Sequence, residues 1–198
     1  MKRQMQGFSL IELVIVIVIL GLLAATAIPR FLNVTDDAED ASLEGVTGGL
    51  ATAVSFVRSQ WEVDGRRNTS VLLDGISVSL DTRFGYPTGT GNTSATSMDD
   101  ASCQQVFNTV LQSAPKNVLY TADAREQRYT VRALDGVSAT AIDGTLITGL
   151  DLCVYHQVAS LALNQSSGVA TPAPDLNTTG AKGITYNPGT GQVLSFSN

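Results

Sequence analysis

Glu12 is the only charged residue between Phe8 and Ile28, a stretch that is otherwise almost wholly apolar. A carboxylate in such a place does one kind of chemistry: it seeks a positive partner. An acidic residue at mid-membrane costs roughly 2.5–3.5 kcal/mol, and one near the end of a span costs less but still needs pairing. Buried charge persists only when it is paired.

The other reactive side chains are few. Cys103 and Cys153 are the only two cysteines, too far apart for a CxxC redox motif and too few for a structural zinc site. A structural disulfide is the simplest reading, with two buried free thiols as the alternative. The bridge would close a loop of about fifty residues and contribute roughly 3–4 kcal/mol in an oxidising compartment. The lone histidine, His156, falls in an alternating strand pattern without a metal pair or a nucleophile–base spacing around it. Gly89-Thr90-Gly91 and Gly180-Ala181-Lys182-Gly183 lack the full phosphate-loop spacing and read as turns. No catalytic residue, metal site or cofactor is expected, so the chain reads as a non-enzyme.

The element that must position Glu12 is a helix. At about 1.5 Å rise per residue, Phe8 to Ile28 is long enough to cross a hydrocarbon core of about 30 Å. Lys2 and Arg3 precede it, and the positive-inside bias keeps that short basic end in the cytoplasm and sends the remainder outward. The alternative is a secretory signal with Ala25-Thr26-Ala27 as its cleavage site, giving a soluble secreted binding protein that starts at Ile28; a Glu inside the apolar region and the length of that region both weigh against it.

Gly7-Phe8-Ser9-Leu10-Ile11-Glu12-Leu13, the short basic leader, Gly21 and Pro29 together resemble the amino-terminal signature of type IV pilins. Pro29-Arg30-Phe31-Leu32-Asn33, Tyr86-Pro87-Thr88 and the paired cysteines resemble most the pilins of the mannose-sensitive haemagglutinin type. The signature itself covers only about the first thirty residues.

The resemblance implies that a prepilin peptidase cuts between Gly7 and Phe8 and that the new amino terminus at Phe8 is N-methylated. It implies that Glu12 neutralises the amine of a neighbouring subunit during assembly. It also implies a leader at 1–7, a membrane and assembly helix at 8–29, and a periplasmic globular domain at 30–198. The subunit would be anchored in the inner membrane, then packed with identical or related subunits into an extracellular filament. Attachment to surfaces is the expected use, with a surface glycan or an abiotic surface as the ligand; a type II secretion pseudopilin is the alternative.

Gly21 and Pro29 weaken the helix, by about 1 kcal/mol for the glycine and by a lost backbone hydrogen bond at the proline. A bend or melted turn between them, a hinge, is expected. In lipid such a break is tolerated only when other protein covers it.

Past Pro29, Phe31, Ala38, Ala41, Val46, Leu50, Val54, Val57 and Trp61 recur at roughly helical spacing, so the helix continues as an amphipathic one to about Val63. Asp36, Asp37, Glu39 and Asp40 form a solvated acidic run without calcium-loop spacing. Ser70–Leu73, Asp74-Gly75 and Ile76–Leu80 give a hairpin. Residues 82–97 read as loop, 99–113 as an amphipathic helix ended by Pro115, and strands are expected at 128–134, 152–158, 184–187 and 193–196. The fold class is α+β: a long amino-terminal helical spine packed on a mostly antiparallel sheet, the ladle-like arrangement of type IV pilins.

Hydrophobic content of 43% and charged content of 15% exclude bulk disorder. The net charge of −6 argues against nucleic acid as the main partner, with Arg66-Arg67 and Arg125, Arg128 and Arg132 as surface basic residues. The segments around Gly85-Tyr86-Pro87 and Thr171-Pro172-Ala173-Pro174 are the expected loops for contact with partners.

Overall fold

The computed structural model describes residues 9–92 and 94–198. The expected leader at 1–7 and the expected cleavage position between Gly7 and Phe8 lie outside the described residues. The chain divides into two compact units, one ending at Ser42 and the other running from Leu43 to Asn198.

Helix α1 (Leu10–Val63) is continuous. It starts where Ser9 supplies an N-cap and stops where Gly65, at φ 80°, turns the chain out of helical geometry. Pro29 lies inside α1, and no melted turn separates it from Gly21 in this structure. The proline removes a single backbone bond from a long ladder, which by itself does not unwind the helix on either side. In the first unit the large apolar side chains from Leu10 to Ile28 are 43–81% exposed.

From Leu43 onward the same helix has a buried face. Leu43, Leu50, Val54, Val57 and Trp61 recur at sevens, fours and threes and enter the main core with Val78, Leu80, Phe107, Tyr155 and Ile184. Phe31, Ala38 and Ala41, which share the expected helical spacing, are exposed. Spacing identifies residues that share a face; it does not say whether anything covers that face.

A three-stranded antiparallel sheet follows α1, in the order β1 (Ser70–Leu73), β2 (Ile76–Asp81), β3 (Tyr86–Gly89). Asp74 and Gly75, both at positive φ, make the expected two-residue turn. Strand β3 corrects the reading of 82–97 as loop throughout. Its Pro87 cannot donate to a ladder, but β3 is an edge strand, where proline is tolerated.

Helix α2 (Asp100–Val110) is capped by Asp99, whose side chain accepts the Ser102 N–H at 2.7 Å. It ends three residues earlier than the periodicity predicts. The second sheet has five strands in sequence order: β4 (Asn117–Leu119), β5 (Tyr129–Thr140), β6 (Leu146–Gln157), β7 (Lys182–Tyr186) and β8 (Val193–Ser197). Short β4, which has no counterpart in the sequence reading, pairs parallel to β5, so this sheet is mixed.

β5 and β6 run longer than expected because Asp135-Gly136 is absorbed as a bulge, with Gly136 at φ 112°, instead of ending the strand. The fold is thus α+β, with the amphipathic part of the long helix packed on the sheet core.

Cys103 on α2 and Cys153 on β6 are bonded, with Cα atoms 5.3 Å apart and both side chains fully buried. Tyr155 Oη donates to the Cys103 carbonyl at 2.9 Å beside them. Tyr186 Oη donates to the Pro87 carbonyl at 2.7 Å and so joins the five-stranded sheet to β3.

Candidate functional site

The amino-terminal end of α1 is built around one carboxylate oxygen. Glu12 Oε2 accepts the Ser9 backbone N–H at 2.8 Å and the Ser9 hydroxyl at 2.7 Å. In return the Glu12 N–H donates to Ser9 Oγ at 3.3 Å. Ser9-Leu10-Ile11-Glu12 is therefore a capping box: the side chains at N-cap and N3 satisfy each other's free amides. The positive end of the helix dipole favours a carboxylate at this turn. Ser9 did not enter the sequence-derived site, although the Ser-x-x-Glu spacing before an apolar run carries the signal.

Beyond this turn the first unit offers little chemistry. Thr26 Oγ1 donates to the Leu23 carbonyl at 3.0 Å, so its polar group is satisfied within the helix. A Cβ at Gly21 would meet nothing within 4 Å. In length and composition α1 is able to cross a membrane, and none of its most apolar stretch is buried.

The second unit holds its polar groups for structure. His156 is fully buried, its Nε2 lies 3.1 Å from the Asp175 carbonyl, and its ring meets Phe196 edge-on. Burial keeps its pKa below the ordinary value. Among the described residues no group of three or more His, Cys, Asp or Glu side chains is placed to hold a metal ion.

Two buried carboxylates with opposite surroundings pin the loop that precedes α2. Asp81 accepts from the Ala95 N–H at 2.8 Å and takes Arg83 Nε on Oδ1 and Arg83 Nη2 on Oδ2, a two-oxygen ion pair. Burial alone would raise its pKa, but the Arg83 and Ala95 hydrogen bonds outweigh that and hold it low. Asp151 accepts from the Met98 N–H at 2.7 Å and stands opposite Asp135 across the β5–β6 ladder. Burial first, and Asp135 second, push its pKa up to about 6 against the pull of the Met98 amide. The sequence reading missed this pair, since register alone brings the two residues together.

Of the two loops expected to meet partners, one is corrected. Gly85 and Pro87 are buried and Tyr86 is half-buried. A Cβ on Gly85 would lie 2.3 Å from the Trp61 ring, and Arg58 stacks 5.1 Å from the ring centres of both Trp61 and Tyr86. Thr171, Pro172 and Ala173 are exposed and border a cleft of about 470 Å³ with Ser160, Leu161 and Thr178.

Residues 2–28 match the prokaryotic N-terminal methylation motif. The chain is 44% identical over 55 residues to the type IV narrow pilus major component of Thermus thermophilus, covering 28% of this chain and 47% of that one. It is 43% identical over 54 residues to the type IV major fimbrial protein of Dichelobacter nodosus, covering 27% and 35%. It is 37% identical over 57 residues to core protein G of the type II secretion system of Pseudomonas aeruginosa, covering 29% and 40%. The chain thus spans less than half the length of each of these relatives. No solved structure matches it.

The methylation motif, the apolar helix and the α+β fold make the chain similar to type IV pilins and pseudopilins. The similarity extends to type IV pilins in particular, which are structural proteins, and the motif with its apolar helix fits anchoring in the inner membrane followed by an extracellular pilus.

Proposed function

We propose that this chain is a structural subunit of a type IV pilus, of the mannose-sensitive haemagglutinin type, used for attachment to surfaces. Prepilin peptidase cuts between Gly7 and Phe8, and Phe8 becomes N-methylphenylalanine. Residues 8–29 hold the subunit in the inner membrane while 30–198 lie in the periplasm. Packing of α1 against the helices of identical or related subunits then builds the filament, and Gly21 with Pro29 forms the hinge that adapts the helix to that bundle.

The observation that carries the reading is Glu12 on an apolar helix whose large side chains from Leu10 to Ile28 are exposed among the described residues. Cleavage creates one positive amine, on Phe8, and a neighbour's amine is the partner that makes the carboxylate tolerable away from water. Glu12 therefore sets the register between subunits. Glu12→Val is expected to leave the subunit stable in the membrane yet sharply reduce its incorporation into filaments; filaments counted at wild-type numbers by electron microscopy would overturn the assignment.

The similarity to core protein G of a type II secretion system favours one second reading, a pseudopilin. Deleting the chain separates the two: a pilus subunit's loss removes filaments, whereas a pseudopilin's loss spares them and blocks release of exoproteins.

A further inference from the structure

Five Asn-x-Ser/Thr triplets occur, at Asn33, Asn68, Asn92, Asn164 and Asn177. Such a triplet accepts a glycan only where the asparagine amide stands free on an exposed loop, because the sugar is bulky and polar. The fold separates the five. Asn33 lies within helix α1. Asn92 Oδ1 accepts the Ser94 N–H at 3.0 Å while its Nδ2 donates to the Ser97 carbonyl at 3.3 Å. Asn164 Oδ1 accepts the Ser166 and Ser167 amides at 2.9 and 3.0 Å. Only Asn68 and Asn177 are exposed on loops with side-chain amides that make no hydrogen bond among the described residues.

Asn177 has one feature that Asn68 lacks. Asp175 stands two positions before it, where the other four triplets have Phe31, Arg66, Thr90 and Ala162. An acid at that position extends the triplet to the form that bacterial oligosaccharide transferases read, in which the carboxylate pairs with a cationic side chain of the enzyme. Asp175 is ionised and reachable: the Asn177 amide and the Thr178 hydroxyl both bond its Oδ1 and hold its carboxyl below the ordinary range, while Oδ2 takes no hydrogen bond from the described residues.

We propose that Asn177 is an N-glycosylation site, with Asp175 and Thr179 as the residues that a membrane-bound oligosaccharide transferase reads and a polyprenyl diphosphate-linked glycan as the donor. This rests on the placement of residues 30–198 in the periplasm proposed above. The Asn177 side-chain nitrogen displaces the lipid diphosphate at the anomeric carbon. The bond from that carbon to oxygen breaks, the bond to nitrogen forms, and one amide proton ends on the diphosphate.

The segment is held by its backbone, which leaves its side chains outward. His156 Nε2 lies 3.1 Å from the Asp175 carbonyl, Asn198 Nδ2 donates to the Leu176 carbonyl at 2.6 Å, and the Gly180 N–H donates to the Asn198 carbonyl at 3.0 Å. Thr179 is exposed, and its hydroxyl makes no hydrogen bond among the described residues. Asn177 and Thr179 also line the cleft of about 470 Å³ beside Thr171 and Pro172. Hydroxyl groups next to a proline ring suit the polar rim and apolar face of a first sugar.

The test is site-mapped mass spectrometry, by electron-transfer fragmentation, of the full protein purified from the cells that natively make it, as wild type, Asn177→Gln, Thr179→Ala, Thr179→Ser and Asp175→Asn. The expected result is a wild-type mass raised by whole sugar residues on Asn177. That increment is lost in Asn177→Gln and Thr179→Ala, kept in Thr179→Ser, and at least severalfold less occupied in Asp175→Asn. A bare Asn177 in wild type, an increment that persists in Asn177→Gln, or full occupancy in Asp175→Asn would each overturn the proposal. The amino-terminal residue is read from the same sample. A chain that starts at methylated Phe8 with a bare Asn177 therefore defeats this inference alone, and one that starts at Ile28 with a modified Asn177 defeats the pilin reading alone.

Discussion

The two halves of α1 are one unbroken helix with opposite relations to the rest of the chain. Between Leu10 and Ile28 no large apolar side chain is buried, whereas Leu50, Val54, Val57 and Trp61 are essentially inaccessible. Apolar surface left in water is unfavourable by roughly 25 cal/mol per Å². The apolar stretch of the first half stays open among the described residues, while the second half buries its apolar face within residues 43–198.

Substitutions at matched positions of the two halves sharpen that contrast. The largest effect on folding belongs to the second half: Trp61→Ala should lose about 3–5 kcal/mol in denaturant unfolding, because it empties a fully enclosed site between Gly85 and Arg58. Replacing Cys103 and Cys153 together by Ala should lower the same unfolding free energy by roughly 3–4 kcal/mol by freeing the loop they close. Reduction of the wild-type protein in denaturant should reproduce that loss.

A smaller effect comes from the Asp135–Asp151 pair and is read as a pH dependence. The folded Asp151 carboxyl binds its proton more tightly than the unfolded one, about 6 against 3.8. Stability from this group is therefore present below the unfolded value and declines as pH rises from about 4 to about 6. Asp81 works the other way, contributing stability that is lost as pH falls through its lowered pKa. Asp135→Asn should thus flatten the decline between pH 4 and 6, seen as the difference between the denaturation midpoints of mutant and wild type. An unchanged slope would mean that Asp135 does not raise the Asp151 pKa.

The smallest effect belongs to the first half. Val18→Ala, which removes exposed apolar surface from the same helix, should change the unfolding of residues 43–198 by less than about 0.5 kcal/mol. A loss comparable to that of Trp61→Ala would erase the distinction between the halves.

The parts legible in the sequence were those written by local pattern. The apolar run, Glu12, the Asp74-Gly75 turn, the buried spacing from Leu50 to Trp61 and the last two strands at 184–187 and 193–196 all depend on neighbours a few residues away, and the structure contains each of these elements. Strand β3 was hidden by a Gly-Pro-Thr composition that suits an edge strand as well as a loop. Strand β4 is three residues long, too short for any periodicity, and its parallel partner lies beyond an intervening turn. Asp151 and Asp135 meet through register, which no single strand displays. Ser9 is a different case: its capping-box spacing was present, and the charge of Glu12 drew the reading toward a second chain instead of toward the residue three positions away.

The central claim is that the apolar helix survives processing and begins at Phe8 with Glu12 retained. Intact mass and amino-terminal sequence of the mature protein, purified from cells that contain prepilin peptidase, test it most directly. The account predicts a chain that starts at N-methylated Phe8 and carries one disulfide. A mature chain starting at Ile28 would contradict it, because that protein would have shed both the helix and Glu12.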